Sequence, residues 1–239
     1  MRRYLVIGVT IVAAWLRLSQ CSYSAEPSAD DRGWTDDFGI VKEELSATGR
    51  NPYFCLEPGC VLVLESKDEQ VIITVMDQTK TIDGVETRVV EERETKRGKL
   101  VEVSRNYFAI SRRTNCVFYF GEEVDIYKGD NIVSHDGAWL SGLHGARFGM
   151  MVPGQPLLRA RFQQEVAPDV AMDRAEIVSL LEKVEVPAGT FERCMKTEET
   201  TPLEKGKEYK LYGPGVGLLI DGDLKLIKAG HEELKKEAK

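Results

Sequence analysis

The sequence has no Cys-x-x-Cys pair, no Gly-x-Ser-x-Gly elbow and no His-Glu-x-x-His signature. Each absence removes a chemistry: the first a thioredoxin-like redox centre or zinc ribbon, the second the lipase and esterase route, the third a zincin-type metal site. Histidine is scarce, with three in 239 residues, and His135 and His144 stand nine apart without a ligand-like spacing. Positive charge is also in deficit. Lys and Arg number 32 against 39 Asp and Glu, a formal charge of −7, which repels the phosphates of nucleic acid and of anionic lipid surfaces. The basic clusters Lys96-Arg97-Gly98-Lys99 and Arg112-Arg113 fall in predicted turns, where solvated charge is the ordinary outcome. Apart from the charged tail, no ten-residue stretch carries a helical stripe, which leaves strands as the building material.

Membrane-spanning runs are missing as well. The apolar run Tyr4 to Leu16 follows Met1-Arg2-Arg3 and is thirteen residues long. That is too short to cross a bilayer and has the layout of a secretory signal peptide, residues 1–24. Ser22 and Ser24 supply the small residues that cleavage after Ser24 needs. Leu18-Ser19-Gln20-Cys21 is similar to the bacterial lipoprotein box, with lipidation at Cys21. Gln20, however, stands where that box takes Gly, Ala or Ser, so soluble secretion is favoured over a lipid anchor. Either route exports the protein to the periplasm or the cell exterior, with membrane attachment only through the anchor. Loss of residues 1–24 removes Arg2, Arg3 and Arg17 and no acid, so the charge goes from −7 to −10.

Cys55, Cys60, Cys116 and Cys194 remain. In an exported chain an even count is compatible with disulfides, in three pairings that the sequence does not distinguish. Cys55 and Cys60 lie five apart around Pro58-Gly59, a spacing that a local bridge across the turn can close. Buried free thiols are the competing reading, because a domain of roughly two hundred residues buries its own core unaided.

Residues 25–50 form a polar lead-in that Trp34 and Phe38 can pin to a sheet, residues 51–230 a β domain, and residues 231–239 a charged tail. Val61–Leu64, Val71–Met76, Val85–Glu91, Leu100–Ile110, Cys116–Phe120 and Val124–Tyr127 are β-rich runs with turn residues between them. The segment Gly137–Pro156 has five glycines and two prolines and reads as an apolar loop over the core or at a pocket mouth. Strands follow at Leu158–Val166, Ala175–Val186, Phe191–Thr200, Glu208–Tyr212, Leu218–Ile220 and Leu224–Lys228. Alternation groups Phe191, Arg193, Met195 and Thr197 on one face. Asp221-Gly222 reads as a type I′ hairpin turn. Gly213-Pro214-Gly215-Val216-Gly217 precedes a strand rather than a helix, so it is no phosphate loop; it reads as a bulge or kink at a sheet edge. No cofactor motif is present. The expected fold is all-β: a single strongly curved antiparallel sheet or incomplete barrel, with a β-sandwich as the alternative.

The motifs Asn51-Pro52-Tyr53-Phe54 with Pro58-Gly59, Gly137-Ala138-Trp139, Pro187-Ala188-Gly189-Thr190-Phe191 and Tyr212-Gly213-Pro214-Gly215-Val216-Gly217 resemble a family of exported bacterial proteins without an assigned activity. Its members read NPYFPLxPG early and YAPGVG late. Cys55 stands in place of that family's Pro and Gly213 in place of its Ala. A weaker similarity, in the late segments, is to periplasmic lipoproteins that cup a lipid in a curved sheet. The resemblance brings no catalytic residue with it.

Two groups of side chains are candidate sites. Trp139, Phe148 and Met151 can line the opening of a cupped sheet for a small apolar or amphipathic ligand. Glu165, Asp169, Asp173 and Glu176, with Glu198 and Glu199 on a neighbouring strand, can hold a metal ion such as Ca²⁺ or divide into an acid and base pair. Three functions follow: an exported non-catalytic binding protein, which is favoured; an envelope structural or interaction protein; and a hydrolase using the acidic cluster. The intact mass of the exported protein is expected to lack residues 1–24 and any lipid increment; a lipid-modified Cys21 at its N-terminus would establish the anchored form instead.

Overall fold

Short turns with enforced backbone geometry set the path of the chain. The computed structural model describes residues 33–233; the leader, Cys21 and residues 234–239 lie outside the described residues. A single 3-10 turn, Lys42–Glu44, leads into β1 (Leu45–Ser46), β2 (Arg50–Asn51) and β3 (Phe54–Cys55). The long meander follows: β4 (Cys60–Glu65), β5 (Glu69–Ile82), β6 (Val85–Lys96), β7 (Lys99–Ser111) and β8 (Val117–Lys128). Asp83-Gly84 and Arg97-Gly98 join β5 to β6 and β6 to β7 with both residues at positive φ, 49° and 78° in the first turn and 52° and 73° in the second. This is the type I′ pattern, whose twist matches that of the strands it connects.

β9 (Asn131–Ser134) and β10 (Trp139–Leu140) both pair with β8, and β11 (Arg147–Val152) pairs with it farther along. The segment expected to be loop between Gly137 and Pro156 thus contributes two strands. Its glycines permit close strand contact instead of breaking the structure. After β12 (Arg161–Gln163) and β13 (Glu165–Val166) come the hairpin strands β14 (Arg174–Val186), β15 (Gly189–Thr200), β16 (Glu208–Gly213), β17 (Gly217–Asp221) and β18 (Leu224–His231). Pro214 to Val216 reverse the chain between β16 and β17, so this glycine cluster is a hairpin turn between two interior strands and not a kink at an edge. The next turn is Gly222-Asp223, with Gly222 alone at positive φ, the type II′ pattern; the expected type I′ turn at Asp221-Gly222 is not formed because Asp221 still pairs with Leu224.

Sixteen strands make one antiparallel sheet, whose path runs β12-β14-β15-β16-β17-β18-β4-β5-β6-β7-β8-β11-β13; β2 and β3 pair separately. The two ends of that path, β12 and β13, are neighbours in the chain with only Gln164 between them. The sheet therefore curls into a nearly closed barrel with an unsealed seam. The lead-in dresses the seam from outside. Thr35 N–H donates to Arg161 O at 3.1 Å and Thr35 O accepts from Gln163 N–H at 2.9 Å, which satisfies the edge of β12. The Arg174 and Arg161 guanidinium groups lie 4.7 and 5.4 Å from the centre of the Trp34 ring. Asp36 pairs with Arg147 at 3.0 Å, and Phe38 packs 5.6 Å from Phe118, so this segment spans from one side of the seam to the other.

Alternation divides the side chains between an inner and an outer face. Val75, Val90, Phe108, Val117 and Tyr119 form an inner cluster that Leu56 and Phe54 cap from the disulfide-bonded Cys55–Cys60 turn. The intervening residues Val89, Tyr107, Ala109, Phe118 and Phe120 form an outer layer, covered by Phe38, Ile40 and Leu45. Among the bulges that break simple alternation, two matter here. At Gly121 (φ 131°) β8 gains a residue, so Tyr119 and Glu122 both face inward, opposite Phe108 and Asn106. At Arg193 (φ 57°) the chain adopts a left-handed conformation that exposes the arginine and buries both Cys194 and Met195. Arg193 therefore leaves the face on which alternation placed it with Phe191, Met195 and Thr197.

Gly149 of β11 lies where the closing segment crosses: a Cβ there would come within 2.5 Å of the Gln163 and Gln164 carbonyl oxygens. These are backbone atoms that cannot rotate aside. Gly149→Ala is expected to destabilise the fold by about 1–3 kcal/mol, the usual cost of overpacking, measured by denaturant unfolding; an unchanged midpoint would show that the seam tolerates the methyl group.

Candidate functional site

The inner face carries ionisable side chains as well as apolar ones. Thr197 pairs with Lys210, and Lys210 with Asp221, so adjacent strands β15, β16 and β17 present these three side by side. Lys210 Nζ sits 3.2 Å from Glu199 and 3.5 Å from Asp221. Glu199 Oε1 accepts from Gln164 Nε2 at 3.3 Å and from Thr197 Oγ1 at 3.2 Å. Glu92 comes from β6, five strands away along the sheet path, yet its titration responds to Lys210, Asp221 and Glu122. Adjacent strands stand about 4.8 Å apart, so groups that distant along the sheet influence one another only across the hollow of the barrel.

The two ends of this interior differ. At the floor Leu56, Val117 and Val90 are 0, 0 and 1% exposed. Toward the mouth the side chains of Lys210 and Asp221 keep 23 and 30% exposure although they point inward. Water therefore reaches the ionisable groups and not the floor.

Burial and charge act in opposite directions here. Burial works against the Lys210 ammonium, but Asp221 and Glu199 outweigh it and hold its pKa well above the usual lysine range. Burial pushes Glu199 up, with Lys210 opposing. Burial likewise lifts the Tyr212 hydroxyl above its usual value, reinforced by Glu199. Glu92 is pushed up to about 7, chiefly by burial, against the pull of Lys210 and with the further push of Asp221 and Glu122. By area Glu92 is only partly buried.

The residues singled out from the sequence are placed as follows. Trp139 is buried against the inner cluster, edge-on to Tyr119 with ring centres 5.3 Å apart, and its Nε1 has no hydrogen-bond partner. Met151 touches the same cluster, and its sulfur receives Gln164 Nε2 at 3.4 Å. Phe148 lies in the outer layer, stacked on Phe120 with centres 4.6 Å apart. It is thus separated from Trp139 and Met151 by the thickness of the sheet. The acidic four are divided in part, with Glu165 and Asp173 kept together. Glu165 is buried at the seam and accepts from Asp173 N–H at 3.3 Å, Asp169 occupies an exposed left-handed turn position, and Glu176 pairs with Arg161 at 2.7 Å. Asp173 adds its charge to the surroundings of Glu199. Among the described residues no group of three or more His, Cys, Asp or Glu side chains is arranged to hold a metal ion.

Sequence reading missed Glu92, Lys210 and Asp221. The signal was present in the strand pattern: each is a charged residue at an inward step of alternation, beside apolar residues of the same face such as Val90 and Tyr212.

Since the folded-state pKa of Glu92 lies above the ordinary glutamate value of 4.5, the folded chain binds this proton more tightly than the unfolded chain does. Its contribution to stability therefore declines as pH rises from 4.5 through 7, the reverse of a salt-bridged carboxylate. Glu92→Gln removes that decline. At pH 8 the variant is expected to melt roughly 5–10 °C above the parent, from a difference of about 2–3 kcal/mol, with the gap closing as pH falls below 4.5. Equal melting temperatures across that range would refute the assignment.

No family model and no curated protein matches the sequence, so the family resemblance rests on its motifs alone. Among solved structures, one described as a putative lipoprotein from Parabacteroides distasonis aligns with 77% of this chain and 100% of its own, at 14% identity and a TM-score of 0.38. A likeness of that degree bears on neither ligand nor activity.

Proposed function

We propose that the chain is an exported, non-catalytic β protein that binds a small amphipathic ligand inside its barrel. The observation that supports this best is the two-ended interior, in which a water-accessible ionisable mouth stands over a fully buried apolar floor. Binding sites for small molecules are mostly apolar concavities with a few convergent polar groups. Trp139 and Met151 belong to this interior; Phe148 contributes to it only through the wall. Export is supported by the Cys55–Cys60 disulfide, a bond that persists in oxidising compartments.

Native mass spectrometry of the mature protein, purified from its own export pathway, tests the proposal. A co-purifying mass that is lost on denaturation is the expected result. A bare polypeptide mass under gentle conditions, together with an unliganded interior after exposure to lipid extract, would sink the binding reading and favour an envelope interaction protein.

A further inference from the structure

The charge arrangement inside the barrel is unequal, and the inequality selects among amphiphiles. Lys210 is engaged by both Glu199 and Asp221, so its single positive charge already faces two carboxyl groups. Glu92, on the opposite wall, forms no hydrogen bond or ion pair within contact distance among the described residues and is partly exposed. An unpaired carboxyl group that has lost part of its hydration is stabilised by a cation that enters the site. A second, independent feature also lacks a partner: Trp139, 6% exposed, holds its indole Nε1–H in the interior with no acceptor. By register Val90, Asn106, Glu122 and Trp139 stand in one row across β6, β7, β8 and β10, and Glu92 is the next inward residue of β6 beyond Val90, so the donor and the carboxyl share the inner face at adjacent levels. Buried indole N–H groups ordinarily have an acceptor.

Resting on the binding function proposed above, we propose that the ligand is an amine amphiphile: a protonated amine received by Glu92 beside Glu199 and Asp221, and a neutral oxygen close to the amine that accepts from Trp139 Nε1. An anionic head would meet the carboxyl groups, while the one lysine that could attract it is already engaged. A hard divalent cation would need several converging oxygen ligands, and the described residues offer no such group. An alkylammonium needs only two or three acceptors around its N–H donors. Its chain then lies along the apolar part of the interior.

Isothermal titration of the mature protein, with probes kept below their micelle concentrations, decides the matter. Dodecylamine is expected to bind about tenfold more tightly than dodecanol, with dodecanoate weakest, and an amino alcohol of the same chain length is expected to bind more tightly than dodecylamine. Glu92→Gln is expected to weaken dodecylamine about tenfold while leaving dodecanol unchanged. Because Glu92→Gln relieves the cost of burying a carboxylate, lost binding cannot be ascribed to unfolding. Trp139→Phe, which keeps the ring and removes the donor, is expected to erase the advantage of the amino alcohol over dodecylamine. If dodecanol or dodecanoate binds as well as the amine, the cationic ligand is ruled out and the binding function stands. If no probe of any charge binds and no mass co-purifies from the export pathway, both fall.

Discussion

Backbone hydrogen bonding at the seam is the constraint on which the rest of the structure depends. A sheet that curls without meeting itself leaves two rows of unpaired N–H and C=O groups, an invitation to pair with another chain. Here the segment 161–166 serves both rows, with β12 on β14 and β13 on β11, and Thr35 occupies the remaining edge of β12. Every inward side chain gets its position from that closure. Without it Glu92 and Lys210, five strands apart along the path, would not share a common space.

The interior so formed has a polarity gradient from the apolar floor to the acidic mouth. The floor is capped by the Cys55–Cys60 turn, where Leu56 is held by its backbone N–H bond to Gly49 O at 3.0 Å. The mouth keeps Lys210 charged in spite of burial, because Asp221 and Glu199 together stabilise the ammonium by more than the loss of water costs. Such a cluster is a poor way to gain stability, since buried ion pairs seldom surpass apolar packing. Its presence in the hollow of a barrel is better understood through what the hollow receives.

Much of the architecture was legible in the sequence because it is local. Asp83-Gly84 and Arg97-Gly98 announce hairpins by residue type alone, and the β-rich runs between Val61 and Tyr127 lie within the strands β4 to β8 apart from the first residue of the last run but one, Cys116. What was not legible is non-local or out of phase. The segment Gly137–Pro156 looked like loop because of its glycines, but Gly149 is there so that two backbones can meet. Arg193 disrupted the expected face of β15 through a left-handed residue that no side-chain preference foretells. The acidic cluster read from sequence proximity, Glu165 to Glu176, is kept only in part: Asp173 stays against Glu165, while Asp169 goes to a turn and Glu176 to Arg161. The cluster at the mouth joins Glu199, Lys210 and Asp221, from three successive strands, with Glu92, more than a hundred residues earlier in the chain. Proximity in the chain is a weak guide where antiparallel strands exchange neighbours across a hollow.

The bulge at Gly121 has a consequence for anyone who compares or redesigns this chain. Its insertion makes β8 two strands in succession, each with its own origin for counting odd and even. In the half before Gly121, Val117 and Tyr119 belong to the interior; in the half after it, Glu122 and Val124 do. A period-of-two pattern carried straight across the glycine would assign Glu123 and Asp125 to the hollow and turn the interior inside out on paper. Gly121 is thus a punctuation mark, and it cannot be replaced at no cost: a Cβ there would strike Trp139 O at 2.3 Å, the backbone of the very residue whose indole faces the polar zone.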